Sequence, residues 1–546
     1  MKRRRWLVGL AVIVATALAL RLRMPGLTIK TTDEWLWVPR SRAFGEAWQS
    51  GDFARMVVSP DRAGTRPGVT TMWTGFLGIE LAERDLPGWS SDALRNGHRL
   101  MAIWCSVLIV PFVAAARRIV GRRGSLVAGG ILAVEPLLVG HSALLHTDAL
   151  LTMTVGVAIV GLMAAAEERR LALRQDRRWR RRWVLSVTMA GAAAGLAVLT
   201  KISALLPLGL ATLMVLAVHG FWVWRSAPVA RYVVRELAVL ALPFAAVAAI
   251  VVVVVWPAMW VAPLNSIETS LDSLRLAGRA SPRFFLGEVV VGSDWRYYPV
   301  EAVFRASAWL LVGGLAMVAW KVRARMVGAP RVLARRHAVV LTVTGLVFVV
   351  ALSVSSKQYA RYLLPLLPLV AVAMAAVVDR WARSLTRRLV SRGVRWGGLV
   401  APVSLWLAFA LTAAWTASLA PYQISHVNPL VGGQRTAERT IPLGWGEGFE
   451  VMTAAYRLEG GETCQTWTSW RAWILFQLCR DGRRDAGFVD GDQAPPRFVL
   501  RYVYERQLGE EPPGLQAYLD EHGTLVDSVT IDGVRYAELW EIDGAS

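Results

Sequence analysis

Long apolar runs recur along this chain of 546 residues, and they constrain its fold more than any other feature. A run of roughly 18 or more apolar residues can cross a bilayer as a helix, which satisfies its own backbone hydrogen bonds. Because 55% of the residues are hydrophobic and the mean hydropathy is +0.41, we predict a polytopic α-helical membrane protein. About eleven transmembrane helices are predicted, at 6–22, 98–116, 124–142, 147–166, 183–200, 202–224, 236–257, 301–320, 338–354, 359–379 and 397–419.

The charge pattern predicts the orientation of these helices. The formal net charge is +21, and the basic residues cluster in every second connection between the predicted spans. Cytoplasmic loops carry such an excess, so we predict a cytoplasmic N-terminus, an extracytoplasmic C-terminus and a bacterial-type inner (plasma) membrane. No small-residue cleavage site follows the first span, so we predict an uncleaved helix rather than a signal peptide. The basic clusters lie within a membrane protein and not in a soluble domain, which argues against nucleic-acid binding.

Two parts of the chain are predicted to lie outside the membrane. The first is the loop 24–97 within a transmembrane domain 1–420, and the second is a small α/β domain at 421–546. In the second part, strands are predicted at 498–503, 526–529 and 536–540, and helices at 448–458 and 513–522. This part also contains Cys464 and Cys479, and an extracytoplasmic compartment permits, but does not require, a disulfide between them.

Carboxylates beside the predicted outer membrane face are the first candidates for chemistry. Asp33 and Glu34 open the first outside loop, and Asp148 lies at the outer end of a later span, near His141 and His146. A carboxylate in such a place can accept a proton from a hydroxyl group as a general base. The alternatives are solvated loop carboxylates, N-caps of the following helices and histidines with a structural role.

Cations on the outer side are the second candidates, because they run against the general charge bias. Lys201 ends one predicted span, and Lys357 and Arg361 lie at the start of another. If that span is helical from about Ser356, positions 357 and 361 project from one face, with Tyr362 beside them. An anion such as a lipid phosphate would account for these cations. The alternative is that their side chains simply extend to the membrane interface.

The order of these features resembles the GT-C superfamily of polyprenyl-phosphate-sugar-dependent glycosyltransferases, and within it the protein O-mannosyltransferase and lipid A aminoarabinose transferase branch. The resemblance covers most of residues 1–420. The motifs that carry it are Asp33-Glu34, Pro67-Gly68-Val69-Thr70-Thr71-Met72-Trp73, Glu135-Pro136 through His141-Ser142, Thr147-Asp148, Lys201, Asp294-Trp295-Arg296-Tyr297-Tyr298-Pro299 and Lys357 through Pro365. The later motifs Asn428 through Gly433 and Gly444-Trp445-Gly446-Glu447-Gly448 are similar to tails of some bacterial members, and no function is predicted for them.

The resemblance implies roles for individual residues. Asp33 and Glu34 correspond to the catalytic acidic motif, and Lys357, Arg361, Lys201, Arg66 and Tyr362 are predicted to bind the substrate and its phosphate. Asp148 matches a second acidic position that helps to bind a metal in some relatives, so Asp148, Glu34 and His146 are candidate ligands of a divalent metal. Relatives often have His where this chain has Arg66, which leaves metal dependence open.

The implied reaction is a single displacement at the anomeric carbon of a polyprenyl-phosphate-linked sugar, with inversion. The acceptor would be a hydroxyl group of a protein, lipid or glycan. Two other classes fit less well. A transporter or flippase would place its charges near the middle of the membrane, and a scaffold would not need paired acids and outer cations.

Overall fold

The computed structural model describes residues 2–23, 31, 33–56, 68–82, 91–173, 177–277, 280–315, 318, 333–451, 465–468, 481–483, 489 and 494–544. Arg66, Cys464 and Cys479 lie outside the described residues, so the predictions made for them remain predictions. The described residues form a bundle of long apolar helices and a small β-sheet near the C-terminal end, which confirms the predicted fold class.

Sixteen helices with defined bounds, and a further helical stretch at 308–315, make up the membrane part and its connections within the described residues. They are α1 (Lys2–Leu22), α2 (Glu34–Ser50), α3 (Val69–Glu80), α4 (Ser91–Val107), α5 (Ile109–Val134), α6 (Pro136–His141), α7 (Thr147–Ala172), α8 (Arg177–Thr200), α9 (Leu205–Ser226), α10 (Ala230–Val255), α11 (Ala258–Val261), α12 (Pro263–Ala277), α13 (Tyr297–Arg305), α14 (Arg335–Ser353), α15 (Leu367–Ser391) and α16 (Gly397–Ser418). Short 3-10 turns occur at Phe53–Met56, Ile202–Ala204 and Ala360–Leu366.

Nine segments of the described chain are long and apolar enough to cross a membrane. One of them, Asp92–Val134, has 43 residues, a length of about 65 Å as one helix against a hydrocarbon core of about 30 Å. It is divided at Gly121, whose φ of 76° is available to glycine at little cost. Val113 packs directly on Gly129, so the chain reverses at Gly121 and forms a hairpin. The described segments therefore correspond to ten of the predicted spans.

The remaining predicted span, 301–320, is interrupted in the structure. Helix α13 ends at Arg305, and residues 308–315 are helical again. At the break, Ser307 donates hydrogen bonds from its backbone N and its Oγ to the Glu135 carboxylate, at 3.0 and 2.7 Å. The prediction of one continuous helix was wrong, because a side chain from another part of the chain satisfies the backbone where the helix stops.

Helix α7 is the central element of the bundle, and its apolar window is buried along its whole length. Asp148 lies in its first turn, and Glu168 near its other end pairs with Arg118 at 2.7 Å. Twenty helical residues span about 30 Å, so these two carboxylates lie about one hydrocarbon thickness apart. Arg118 belongs to the basic turn at Gly121, so this turn and Asp148 lie at opposite ends of the bundle.

The C-terminal region, here residues 421–544, contains the main sheet. A hairpin of β1 (Arg283–Phe285) and β2 (Glu288–Val290) precedes it in the chain. The sheet has the order β4-β3-β5-β7-β6 and consists of β3 (Gln465–Trp467), β4 (Asp481–Arg483), β5 (Phe498–Tyr502), β6 (Gly523–Ile531) and β7 (Val534–Ile542). Its helices are α17 (Gly433–Glu438), α18 (Val503–Leu508) and α19 (Leu515–His522).

The predicted strands and the helix at 513–522 are confirmed, and they form a mixed α/β unit. Strands β3, β4 and β5 are parallel, whereas β7 pairs antiparallel with both β5 and β6. Of the predicted helix 448–458, the described part is a single 3-10 turn at Phe449–Val451. Phe498, Leu500 and Tyr536 of the sheet pack into one apolar cluster, which also includes Phe304 of helix α13.

Candidate active site

A cleft of about 810 Å³, its open mouth included, lies where the end of the helix bundle meets the C-terminal region. The residues that line it are Asp33, Leu137, His141, Arg283, Tyr297, Glu301, Arg305, Gln358, Tyr359, Ala360, Arg361, Ile424, Pro442, Gly444, Trp445, Glu447 and Tyr504. Most of these side chains are aromatic, charged or amide-bearing, so the cleft is polar for a space beside a membrane bundle. Such a concave site with convergent polar groups is the usual form of a substrate site.

Asp33 is placed in this cleft by the start of helix α2. It occupies the N-cap position of the helix, but its side chain makes no capping hydrogen bond. Instead its Oδ2 lies 3.0 Å from Nε2 of His146 and 3.2 Å from a guanidinium nitrogen of Arg361. The side chain is 28% exposed, so it can still be reached from the cleft. The carboxylate is thus directed at the site and not at the helix terminus.

His146 connects Asp33 to the start of helix α7. The backbone N–H of Asp148 donates to Nδ1 of this ring at 3.3 Å, so Nδ1 carries a lone pair. In the neutral ring the proton is then on Nε2, which donates to Asp33. His146 therefore caps α7 and orients the Asp33 carboxylate at the same time.

Asp148 is buried at the N-terminus of α7, where the helix dipole favours a negative charge. Its Oδ1 accepts a hydrogen bond of 2.7 Å from the Lys201 ammonium group. Its Oδ2 lies 3.1 Å from Nε of Arg361, close enough for an ion pair but not aligned as a hydrogen bond. Lys201 directly follows helix α8, whose carbonyl end favours a cation. Two acids and two bases thus form one charge-balanced network.

Arg361 is the central residue of this network, since it contacts both Asp33 and Asp148. It lies in the 3-10 turn Ala360–Leu366, which precedes α15 and contains Pro365. Its guanidinium group also lies 4.6 Å from the ring centroid of Tyr359 and 5.8 Å from that of Tyr362. Aromatic rings and carboxylates on several sides hold this side chain in one orientation.

The structure corrects the prediction that Lys357 and Arg361 share a helical face. Residues 357–359 are not helical, and the helix begins only at Ala360, in 3-10 form. The two cations are nevertheless near each other, because the Lys357 ammonium lies 5.7 Å from the same Tyr359 ring that Arg361 contacts. Tyr362 is flanked by Arg361 and by Lys201, whose ammonium is 4.9 Å from its centroid.

Glu34 differs from its neighbour, because it is fully buried and does not line the cleft. Its Oε2 accepts hydrogen bonds from the backbone N and the Oγ1 of Thr31, and its Oε1 accepts one from the backbone N of Leu145 and lies 2.5 Å from His98 Nε2. Burial by itself would raise the pKa of Glu34, but the His98 charge and these hydrogen bonds outweigh it and lower the pKa to about 2. Glu34 is therefore an ionised residue that ties three parts of the chain together.

The three candidate metal ligands are engaged by other groups in the structure. Glu34 accepts four close contacts, Asp148 is paired with Lys201 and Arg361, and His146 bonds Asp33. Nowhere in the part of the chain that the structure describes do three His, Cys, Asp or Glu side chains form a group able to hold a metal ion. A divalent cation would have to displace two basic side chains from Asp148, so the charges of this site do not fit one.

Sequence reasoning missed the contribution of the C-terminal region. Trp445 lies with its ring centroid 3.9 Å from the Arg361 guanidinium, and Glu447 beside it also lines the cleft. Burial raises the pKa of the Glu447 carboxyl group, which accepts a hydrogen bond of 3.1 Å from the Tyr502 hydroxyl. The closely spaced glycines around Trp445 were visible in the sequence, but nothing there indicated where they dock. His98 was missed altogether, because a single histidine in an amphipathic stretch gives no signal.

The chain matches a known protein family over part of its length and solved structures over nearly all of it. Residues 83–259 match the family described as dolichyl-phosphate-mannose-protein mannosyltransferase, a match that covers less than half of the chain. In three dimensions, 99% of the chain aligns with 98% of ArnT from Cupriavidus metallidurans in the apo state, at 16% identity and a TM-score of 0.50. An oligosaccharyltransferase from Archaeoglobus fulgidus, tethered to an acceptor peptide, aligns over 98% of this chain and 74% of its own, at 14% identity and a TM-score of 0.52. A search of curated proteins finds no significant match.

The chain has the GT-C fold. This confirms the predicted resemblance, and it holds over nearly the full length, including the C-terminal region. The family match contains Asp148 and Lys201 but neither Asp33 nor Arg361, so it covers part of the charge network only. The GT-C fold and the family match together support the predicted glycosyltransferase class, and nothing in them favours a transporter.

Proposed function

We propose that this protein is an integral-membrane glycosyltransferase that moves a sugar from a polyprenyl-phosphate donor to an acceptor hydroxyl group. The observation that carries the proposal is the network of Asp33, Arg361, Asp148 and Lys201 in a GT-C fold, in which Asp33 and Arg361 line a polar cleft. A base, fixed cations and an open cleft are what such a transfer requires, and they occur here together at one end of the bundle.

Asp33 is the proposed general base. It lines the cleft, it is partly exposed, and it makes no capping bond that would explain its position otherwise. Contacts with His146 at 3.0 Å and Arg361 at 3.2 Å hold its carboxylate in one orientation towards the cleft. Glu34, enclosed by four contacts, is proposed to hold the segment before α2 in place and not to touch the substrate.

Arg361 is the proposed ligand of the donor phosphate, assisted by Lys357 and Lys201, with Tyr362 between Arg361 and Lys201. Its guanidinium group is held before the substrate arrives, so little reorganisation is required as charge develops on the leaving phosphate. Arg66, in the first loop, is proposed to contact the same phosphate. No step requires a metal ion, because fixed cations supply the stabilising charge.

The proposed step is a single displacement. Asp33 takes the proton of the acceptor hydroxyl, the acceptor oxygen forms a bond to the anomeric carbon, and the bond from that carbon to the phosphate oxygen breaks. The electron pair leaves with polyprenyl phosphate, which is a good leaving group and needs no protonation in the transition state. Attack from the face opposite the phosphate inverts the configuration at that carbon.

We place the reaction on the extracytoplasmic side of a bacterial-type inner membrane, with residues 421–546 as a domain on that side. The support is that the basic turn at Gly121 and the charge network lie at opposite ends of α7. Basic segments mark the cytoplasmic ends of membrane helices, so the network belongs to the other face.

The test is sugar transfer by purified protein in nanodiscs. Polyprenyl phosphates carrying radiolabelled mannose are the first donors, because the matching family is described by that sugar, and envelope extract from cells that lack the protein supplies the acceptors. We expect label to move into the extract with wild-type protein and not with Asp33→Asn. Asp52→Asn, an exposed carboxylate close by in the chain, is the matched control.

Two outcomes would reject the proposal. One is the absence of transfer from a panel of hexose- and pentose-bearing donors in protein that is folded and monodisperse. The other is Asp33-dependent movement of an intact lipid-linked sugar across sealed vesicles without cleavage of the phosphate bond. The second outcome would establish a flippase instead.

A further inference from the structure

The segment Gly444–Gly448 of the C-terminal region packs directly on the charge network. Its three glycines all have positive φ, at 91°, 113° and 88°. A Cβ atom at Gly446 would lie 3.1 Å from Cα of Thr31, the residue that donates two hydrogen bonds to Glu34. A Cβ at Gly448 would lie 2.9 Å from Cβ of Ala537 in strand β7. The glycines thus allow this segment to lie between strand β7 and Thr31, which precedes helix α2, at backbone distance.

The segment is also fixed from the side of the sheet. Tyr502, the last residue of β5, donates a hydrogen bond from its hydroxyl to Glu447 at 3.1 Å and accepts one from the Gly446 backbone N at 2.7 Å. The Glu447 carboxylate in turn accepts a hydrogen bond from the backbone N of Trp445. Since Tyr502 and Glu447 are both buried, these bonds hold Trp445 in a defined position.

Trp445 contacts three side chains of the site at once. Its ring lies over Arg361, with the guanidinium carbon 3.9 Å from the centroid. It also meets the rings of His141 and His146 in edge-to-face contacts, at centroid distances of 5.6 and 5.8 Å. His146 is the residue that bonds Asp33, so the indole touches both the proposed phosphate ligand and the neighbour of the proposed base.

We propose that Trp445 is a positioning residue, through which the C-terminal region fixes Arg361 for donor binding. The arginine side chain is long and flexible, and an aromatic face that excludes water restricts it to the orientation that contacts Asp33 and Asp148. The inference goes beyond the proposed function, because it makes the C-terminal region part of the active site. It rests on that function only for the role of Arg361 in binding the donor.

The test compares two replacements of Trp445 in the full-length protein. Trp445→Phe keeps an aromatic face, whereas Trp445→Leu keeps apolar bulk and loses that face. We expect Trp445→Leu to weaken the affinity for polyprenyl phosphate about 2- to 30-fold, the range of one cation–π contact, and Trp445→Phe to restore most of it. Binding is measured by titration in nanodiscs, and melting temperatures establish that both variants are folded. Trp396, exposed and also next to an arginine, supplies the control Trp396→Leu, which should bind like wild type.

A double-mutant cycle separates positioning from a general structural effect. If Trp445 acts through Arg361, Trp445→Leu has no further effect on affinity in an Arg361→Ala background. Gly446→Ala, which disturbs the loop but keeps the indole, should weaken binding in the same direction. An equal loss in both backgrounds, or wild-type affinity of Trp445→Leu, would overturn the inference while the proposed function stands. Wild-type protein that neither binds polyprenyl phosphate nor transfers sugar would instead reject the proposed function.

Discussion

Replacing Glu34 by glutamine separates the two acidic residues that stand side by side in the first loop. Glu34→Gln keeps the shape of the side chain, but it replaces one carboxylate oxygen, an acceptor, with an NH2 group, which is a donor. Both oxygens accept hydrogen bonds from backbone N–H groups, one from Thr31 and one from Leu145. Whichever oxygen the amide nitrogen replaces, that nitrogen then meets a backbone N–H. Two hydrogen-bond donors face each other in a fully buried site, which is unfavourable.

Two considerations give the expected loss in the free energy of unfolding. The pKa of Glu34 is lowered from 4.5 to about 2, which corresponds to about 3 kcal/mol of stabilisation of the ionised form. Removing one member of a buried, hydrogen-bonded charged pair costs about 3–5 kcal/mol. We therefore expect Glu34→Gln to lower the free energy of unfolding by about 3 kcal/mol.

The assay is reversible unfolding in mixed micelles, titrated with a denaturing detergent. Glu46→Gln is the control, because Glu46 lies on the same helix α2 and is exposed; surface changes of this kind stay within about 0.5 kcal/mol. The pH dependence has a fixed sign. A carboxyl group with a lowered pKa stabilises the folded state fully above its unfolded pKa near 4.5, and this stabilisation is lost as the pH falls towards about 2. The difference between wild type and Glu34→Gln should therefore shrink over that interval.

Transfer activity per folded molecule completes the experiment. Glu34 does not line the cleft, so Glu34→Gln should retain more turnover than Asp33→Asn. A variant of wild-type stability whose turnover falls about 100-fold, the usual loss of a general base, would refute this reasoning. It would also transfer the role of the base to Glu34.

Further predictions concern the network and the orientation of the chain. Asp33→Asn should lower turnover per folded molecule by about 100-fold or more, and near wild-type transfer would remove Asp33 as the base. Arg361→Ala should raise the donor KM and lower kcat, with partial recovery in Arg361→Lys because lysine lacks the planar fork; unchanged kinetics would make Arg361 a structural residue. A cysteine at Ser546 should react with a membrane-impermeant reagent in intact cells once any outer barrier is opened, and labelling only after lysis of the inner membrane would reverse the topology. Thiol counts before and after reduction test whether Cys464 and Cys479 form a disulfide, which equal counts would rule out.

Most of the fold could be predicted from the sequence, because a helix that crosses a bilayer needs a long apolar run. Apolar length predicted ten of the spans, whereas the orientation derived from the alternating basic connections remains a prediction. The prediction of a continuous span at 301–320 was wrong for a reason that the local sequence does not show. Its break is stabilised by Glu135, a residue far away in the chain, through hydrogen bonds to Ser307.

The site was accessible only in part. Asp33, Asp148, Lys201, Arg361 and Tyr362 do converge, and their unusual positions beside apolar runs were the signal. The helical spacing invoked for Lys357 was wrong, because residues 357–359 are not helical and the 3-10 turn begins only at Ala360. Contacts formed by tertiary packing, such as His98 with Glu34 or Trp445 with Arg361, could not be predicted, because they join residues far apart in the chain that no periodic pattern relates.

The position of Trp445 has a consequence for biosynthesis. Asp33 is made early, whereas the indole that packs on Arg361 is held by Tyr502 in β5, and β5 is itself paired with β7 near the end of the described chain. A ribosome that has released all the membrane helices has therefore still not produced a complete site. If Trp445 fixes Arg361 as proposed, a chain inserted in the bilayer before β5 and β7 are made would hold Arg361 less firmly, and full affinity for the donor would follow only when translation has passed the last strand.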